Sequence, residues 1–424
     1  MSVKLGADTL YSIDHQIRIP EKAALTQPYW LEKVGAEPGM YYMPADTVAG
    51  LPETPPSLMA AVQLIIAGEP FAMQLPLSYK KLDPVKGDVV EQLRIVPDAT
   101  LDFTNSLYVA GADGSVAADL RIHAFKDMPS LYLSVSSDVT AAALYQLQGF
   151  ALRAGADTVI RIAIAGNKEL AGKDFHLIPM LTVPGSAAHH VIQYSHLPVL
   201  QYFSSPMVQV LQPSWKCTAK RVGYVEGAGD NVAAILRQAG VEVDMLKEAD
   251  MNPASLKKYD AILTGIRAVN AEKAMARWMP ILLQYAEQGG TLVMQYNTMQ
   301  DLSATRLGPY AFSLSTKRVT EEDATVTMPV PDHRLLTYPN KITNADFDGW
   351  VQERGLYFPV NWDSQYTSLF TMNDAGEQPM GGSTLYAPTG KGHYVYTSLS
   401  FSRQLPAGNK GAIKLLLNML SVGK

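Results

Sequence analysis

The hydrophobic period of this chain changes once, near Pro213, and that change constrains the fold more than any other feature of the sequence. After it, buried-strand patterns alternate with helical ones. "RVGYVEG" precedes "DNVAAILRQAG", which stops at Gly240, and "AEKAMARWMPILLQYAEQGG" precedes "TLVMQYN". Strands that alternate with helices indicate βαβ units, which form parallel sheets. We therefore expect an α/β domain over residues 213–424.

Residues 1–212 have a different pattern. Short apolar runs, several of them alternating with polar residues, are separated by turn signals such as Ala67–Pro70 and Gly111–Gly114. Short strands at regular spacing are typical of β-sandwiches. We predict two immunoglobulin-like β-sandwich modules, over residues 1–95 and 96–212. The first is short for a sandwich, so we expect it to be incomplete.

Composition narrows the classes of function. The formal net charge of -5 and the lack of a basic block argue against nucleic acid as a partner. No apolar run approaches the roughly 18 residues that a membrane span requires. The single cysteine, Cys217, excludes an internal disulfide and a cysteine-based zinc site.

Four separated motifs carry a resemblance to a known family. They are "QPYWL" (Gln27–Leu31), "DPVKGD" (Asp83–Asp88), "VGYVEGAGDNV" (Val222–Val232) and "FDGWVQERGLYF" (Phe347–Phe358). In this order they resemble the region that follows the catalytic domain in large bacterial PIG-L (LmbE-like) family deacetylases. The resemblance implies β-sandwich modules followed by a flavodoxin-like, class I glutamine-amidotransferase-like domain. It also implies a parent hydrolase, a zinc-dependent N-acetylglucosamine de-N-acetylase, and favours a periplasmic or extracellular location.

The catalytic residues of both enzyme classes are missing from this sequence. The deacetylase holds zinc with a His-Pro-Asp-Asp motif, which does not occur here. We therefore expect no cofactor in this chain, and zinc only in a separate catalytic domain. An amidotransferase needs a cysteine on a strand-to-helix elbow. The matching strand is Thr291–Tyr296, its elbow falls at Gln295–Asn297 without a nucleophile, and Cys217 precedes the first strand.

The turn after the first predicted strand of the α/β domain is one candidate binding site. Ligands bind open parallel sheets at the carboxyl ends of strands, and glycines let a ligand approach the backbone. We select Glu226, Gly227, Gly229 and Asp230 there, together with Asn297 at the elbow. The alternative is a tight turn that has Asp230 as the N-cap of the next helix.

The segment before residue 358 is the second candidate. An aromatic face beside carboxylates and an arginine suits a sugar or another polar ligand. Its candidate residues are Asp346, Trp350, Glu353, Arg354 and Tyr357. Trp350 would stack on the ligand, Glu353 and Arg354 would orient it, and the turn at Gly227 would share the pocket. The alternative is a loop pinned to the sheet by Trp350 and a Glu353–Arg354 charge network. His333 with scattered aspartates is weak evidence for a metal site, and we assign none.

Three hypotheses of function follow. The first is a non-catalytic accessory region that binds or presents carbohydrate, or another small polar ligand, beside a catalytic deacetylase domain. The second is an independent hydrolase that uses carboxylates among Glu226, Asp346 and Glu353. The third is a structural or oligomerising module.

Overall fold

The computed structural model describes residues 6, 8–9, 11–12, 14–20, 23–33, 40–41, 43, 48–51, 53–140, 142–183 and 186–424. Over these residues the chain is rich in β-structure and is built from several sheets and a few helices, as the sequence predicts. None of the helices in this part of the chain is long and apolar enough to cross a membrane.

Two antiparallel hairpins occupy residues 59–92. Their strands are β1 (Met59–Ile66), β2 (Glu69–Pro76), β3 (Ser78–Asp83) and β4 (Gly87–Gln92). β1 pairs with β2 and β3 with β4, each pair as a two-stranded sheet. The predicted turn is confirmed at Ala67 and Gly68, which both have positive φ. Every residue of β2 is exposed. Within the described part of residues 1–95, a packed sandwich core is therefore not formed, because no second sheet covers this hairpin.

Ten strands follow, and eight of them form two sheets around one core. The strands are β5 (Ala99–Phe103), β6 (Leu107–Val109), β7 (Val116–Ala124), β8 (Met128–Ser137), β9 (Tyr145–Leu152), β10 (Asp157–Ile164), β11 (Phe175–Leu181), β12 (Ala188–Ile192), β13 (Leu200–Ser204) and β14 (Val208–Leu211). One sheet has the order β10-β7-β5 and the other β6-β14-β11-β8-β9, while β12 and β13 form a separate hairpin. Leu101 and Leu120 from the first sheet and Leu133 and Leu177 from the second are fully buried in the shared core.

Strands and helices alternate over residues 221–295, as predicted, whereas short strands follow one another over residues 367–397. The elements are β15 (Arg221–Val225), α1 (Val232–Gln238), β16 (Glu242–Met245), α2 (Pro253–Leu256), β17 (Ala261–Thr264), α3 (Ala268–Ala271), α4 (Met275–Glu287), β18 (Thr291–Gln295), β19 (Val326–Thr327), α5 (Arg334–Thr337), β20 (Thr367–Ser368), β21 (Thr371–Met372), β22 (Thr384–Thr389), β23 (Gly392–Thr397), α6 (Phe401–Gln404) and α7 (Lys410–Ser421). Gly240 and Gly289 follow α1 and α4 with positive φ, where glycine ends a helix without strain.

The main sheet has seven strands in the order β16-β15-β17-β18-β23-β22-β20. The first five are parallel, and β22 and β20 extend the sheet in antiparallel pairing. All five residues of β18 are buried. Val293 joins the core that contains α1, α5 and α7, whereas Leu292 and Met294 join the core that contains α2 and α4. The parallel sheet is therefore covered on both faces, as such sheets require.

Cys217 lies before β15 and serves no visible chemical purpose. Its thiol is half-buried, donates to the carbonyl oxygen of Ala219 at 3.1 Å and lies 3.7 Å from the hydroxyl of Ser421. Burial raises the pKa of the Cys217 thiol, so it stays protonated and unreactive.

We predict that Cys217→Ser changes the free energy of unfolding by less than about 1 kcal/mol, because a serine hydroxyl can keep the bond to Ala219. Thermal unfolding followed by circular dichroism measures this. Ser421→Ala is the comparison, since the Ser421 hydroxyl accepts from the backbone N–H groups of Thr218 and Ala219 and its loss leaves both unpaired. A larger loss in Cys217→Ser than in Ser421→Ala would contradict the prediction.

Candidate functional site

The carboxyl ends of β15, β17, β18 and β23 lie along one edge of the main sheet, because these strands are parallel. The loops that leave this edge hold most of the candidate residues. Ligands of open parallel sheets bind at such an edge. The candidates differ in whether their side chains face the edge or support the fold.

Asp230 links the loop after β15 to the loop after β17 through hydrogen bonds. Its Oδ1 accepts from the Tyr224 hydroxyl at 2.5 Å and from the N–H of Val232 at 3.1 Å. Its Oδ2 accepts from the N–H of Ile266 at 3.1 Å. Helix α1 starts at Val232 with Asn231 as N-cap, so the expected N-cap role of Asp230 is wrong by one residue. With both oxygens engaged, Asp230 is held by the fold.

Gly227 and Gly229, in the same turn, are required for different structural reasons. A Cβ on Gly227 would collide with the carbonyl oxygen of Ile266, which accepts from the N–H of Ala228 at 2.8 Å. Gly227 therefore admits the neighbouring loop. Gly229 has a φ of 90° and nothing within 4 Å of a Cβ, so it meets a backbone requirement and faces open space. Glu226 is exposed beside them.

Asn297 at the elbow supports the fold with its side-chain amide and its backbone N–H. Its Oδ1 accepts from the N–H of Val269 at 2.9 Å, and its Nδ2 donates to the carbonyl of Gln295 at 3.0 Å. Its backbone N–H donates to the Tyr396 hydroxyl at 3.0 Å. Asn297 is fully buried, so this structure does not offer its side chain to a ligand.

Trp350 is a core residue. Its side chain is 2% exposed and packs against Phe347 and Phe401 with ring centroids 5.1 and 6.3 Å away. Its indole N–H donates to the carbonyl of Asp346 at 3.0 Å. The expected stacking face is therefore occupied by protein. Because Trp350 is enclosed while Gly229 faces open space, the two do not line a common open pocket.

Arg354 and Asp346 are also anchors. Arg354 is 4% exposed and donates to the backbone carbonyls of Ala324, at 2.9 Å, and Phe347. It makes no ion pair with Glu353, so the expected charge network is not formed over this fully described stretch. Asp346 pairs with Lys414 at 3.0 Å and caps its own short 3-10 turn. The structure thus places both residues in support of the segment.

Glu353 and Tyr357, from the same segment, turn the other way and approach Tyr296 at the end of β18. The rings of Tyr357 and Tyr296 lie 5.9 Å apart, and the charge of Glu353 acts on the Tyr296 phenol. Glu353 is 8% exposed, and no described residue hydrogen-bonds or ion-pairs with its carboxylate. Burial raises the pKa of Glu353, against the nearby charges of Arg403 and Arg318.

Two residues near Tyr296 have strained backbones. Tyr357 has a φ of 55° and Arg267 a φ of 54°, values that non-glycine residues rarely adopt. The N–H of Arg267 donates to the carbonyl of Tyr296 at 2.7 Å. Strain of this kind is concentrated at functional sites. We define the Tyr296 site as Tyr296, Tyr357, Glu353, Arg403 and Arg318.

Sequence reasoning placed Tyr296 at the elbow but did not select it, and it missed both arginines of the site. Arg403 could have been predicted from the sequence, because it follows the last parallel strand and ligands bind at the carboxyl ends of such strands. Arg318 had no such signal, since it lies in an irregular segment.

Comparisons with known proteins add little. Neither the family models nor the curated proteins give a match to this sequence. Among solved structures, a β-galactosidase from Rahnella sp. R3 is similar at 15% identity and a TM-score of 0.29, over 46% of this chain and 30% of that one. The C-terminal domain of Wzt is similar at 7% identity and a TM-score of 0.16, over 33% of this chain and 81% of that one. Both likenesses are too remote to support an argument about function.

We predict that Glu353→Gln raises the thermal midpoint at neutral pH. A carboxyl whose pKa is raised in the folded state binds its proton more tightly there, so stability falls as pH rises from the unfolded pKa through the folded one. The amide carries no charge to desolvate. Melting curves recorded from acid to neutral pH should show that the thermal midpoint of the variant exceeds that of the wild type, and that this difference shrinks as the pH is lowered toward the unfolded pKa. A variant that is less stable than the wild type at neutral pH would refute this account.

We predict that Gly227→Ala loses about 3 kcal/mol of unfolding free energy, because a backbone carbonyl must move to admit the methyl group. Gly229→Ala is the matched control, and its positive φ alone costs about 1 kcal/mol. Chemical denaturation of both variants makes the comparison. Equal losses of unfolding free energy in the two variants would show that the close approach of Ile266 to Gly227 does not determine the cost of the added methyl group.

Proposed function

We propose that this chain is a non-catalytic accessory region of the kind that follows the catalytic domain of PIG-L deacetylases, and that it binds carbohydrate at the Tyr296 site. The four motifs that carry the family resemblance support this proposal. Under this proposal the partner is a zinc-dependent catalytic domain. This chain holds or presents the glycan while the catalytic domain carries out the deacetylation.

The order of the main sheet supports the fold part of the proposal. The parallel strands, counted along this part of the chain, have the order second, first, third, fourth and fifth. This order is the one typical of flavodoxin-like sheets, which supports that part of the proposal. The class I glutamine-amidotransferase-like domain that the resemblance implies is compatible with this strand order. The immunoglobulin-like modules proposed before that domain are compatible with it as well.

The chemistry of the elbow supports a binding role over glutamine hydrolysis. Tyr296 and Asn297 stand where a cysteine nucleophile would be needed. Burial raises the pKa of Tyr296, so its hydroxyl remains protonated and is a poor nucleophile. The hydrolase hypothesis is weakened, because among its three candidate carboxylates Asp346 is paired with Lys414 and Glu226 is exposed, which leaves Glu353 as the one enclosed carboxylate.

One observation carries the proposal: Glu353 is mostly enclosed, its carboxyl has no hydrogen-bond partner among the described residues, and it lies near the aromatic pair of Tyr296 and Tyr357. A mostly enclosed carboxylate that lacks a donor within the protein is stabilised when a ligand donates a hydrogen bond to it. A sugar hydroxyl would satisfy Glu353, and the half-buried ring of Tyr357 would pack on the apolar face of the same sugar.

We predict that chitin-derived oligosaccharides or their de-N-acetylated forms bind the full chain, and that Tyr357→Ala weakens binding roughly tenfold through the lost ring contact. Isothermal titration calorimetry measures the affinities. Tyr310→Ala is the matched control, because Tyr310 also pairs with another tyrosine, Tyr366, at 5.8 Å but lies outside the site. Binding that both variants retain equally would place the ligand elsewhere, and no binding by the wild type would overturn the proposal.

A further inference from the structure

The arginines of the α/β part divide into two groups. Residues 216–424 are described in full and contain nine arginines. Six of them donate side-chain hydrogen bonds within the protein: Arg221, Arg237, Arg277, Arg306, Arg334 and Arg354. The remaining three, Arg267, Arg318 and Arg403, have exposed side chains that make no hydrogen bond or ion pair within this stretch.

These three arginines are grouped around the Tyr296 site. Arg403 belongs to α6, directly after the carboxyl end of β23, and its charge acts on both Tyr296 and Glu353. Arg318 precedes Val319, whose carbonyl oxygen accepts from the N–H of Arg354 at 2.9 Å, and its charge acts on Glu353. Arg267 opens the loop after β17 and is bonded through its backbone to Tyr296. Unpaired surface arginines are common singly, but here all three of the α/β part share one edge.

The arginines also leave Glu353 unpaired. Arg403 and Arg318 are near enough to influence the carboxyl, yet neither forms an ion pair with it. Their guanidinium forks are therefore free to bind another group. A guanidinium binds carboxylate or phosphate through two parallel hydrogen bonds that are strengthened by opposite charge, and a neutral sugar lacks that charge.

Arg318 also lines one wall of a groove. It has a volume of about 690 Å³ and lies between residues 316–320 and 374–380, with Lys317 and Arg318 on one wall. Asp374 on the other wall is saturated, because it accepts from the N–H groups of Thr320 and Glu321. Because Lys317 and Arg318 are balanced by Asp374 and Glu377, the groove itself has no net charge, and an anion would be bound by the unpaired arginines of the Tyr296 site.

We propose that the ligand of the Tyr296 site is an acidic sugar: a polyhydroxylated ring that carries a carboxylate or a phosphate. The arginines bind the oxyanion, Glu353 bonds to a ring hydroxyl, and Tyr357 packs on the ring. This inference rests on the proposed carbohydrate-binding function and names the class of sugar.

The test titrates the full chain with glucuronic acid, a hexose phosphate and neutral glucose, by calorimetry at low and at high salt. At least one acidic sugar should bind ten times more tightly than glucose, and the difference should shrink at high salt. Tighter binding of glucuronic acid would assign a carboxylate ligand, and tighter binding of the hexose phosphate a phosphorylated one. Both outcomes support the inference.

Variants locate the binding. Arg403→Gln should weaken the acidic sugar about tenfold and leave glucose unchanged, whereas Arg277→Gln, whose arginine is paired with Glu248, should change neither. Equal binding of acidic and neutral sugars would overturn this inference and leave carbohydrate binding standing. An acidic sugar unaffected by Arg403→Gln would also overturn it. Failure of every sugar, the chitin-derived ones included, would overturn both proposals. Matching thermal midpoints of the two variants establish that they are folded.

Discussion

Burial of the main parallel sheet on both of its faces is the constraint on which the rest of the structure depends. β18 has no exposed residue, and its side chains alternate between the core beneath α7 and the core beneath α4. This arrangement fixes the direction of five neighbouring strands. Because these strands are parallel, their carboxyl ends lie at one edge of the sheet. The loops that follow them are therefore close together in space, although their sequences are not similar.

Polar side chains in the interior are concentrated along the same edge. Thr264, Gln295 and Thr397 end three adjacent strands and are fully buried. The Oε1 of Gln295 and the Oγ1 of Thr264 have no hydrogen-bond partner among the described residues. Buried polar groups destabilise a fold unless they are satisfied. Proteins tolerate such departures mainly where function requires them, so this layer and the strained residues above it single out one edge.

The segment between β19 and β20 shows how neighbouring residues can serve opposite purposes. Arg354 points into the core and binds backbone carbonyls, while Glu353, one position earlier, lies at the Tyr296 site. Trp350 and Asp346 anchor the segment, and that anchoring holds Glu353 and Tyr357 in place. The structural interpretation of this segment is therefore correct for Trp350, Asp346 and Arg354, while a binding role for Glu353 and Tyr357 stays a proposal.

The sequence by itself determined the α/β part. The hydrophobic period, Gly240 and Gly289 located its strands and helices, and local residues decide such patterns. It also determined that the elbow has no nucleophile. Only the tertiary structure decided which polar residues of the irregular segment face the site, since a segment without a period leaves side-chain direction to long-range contacts. Likewise, Arg318 and Arg403 are distant from each other in sequence, and only the folding of the chain brings both of their charges near Glu353.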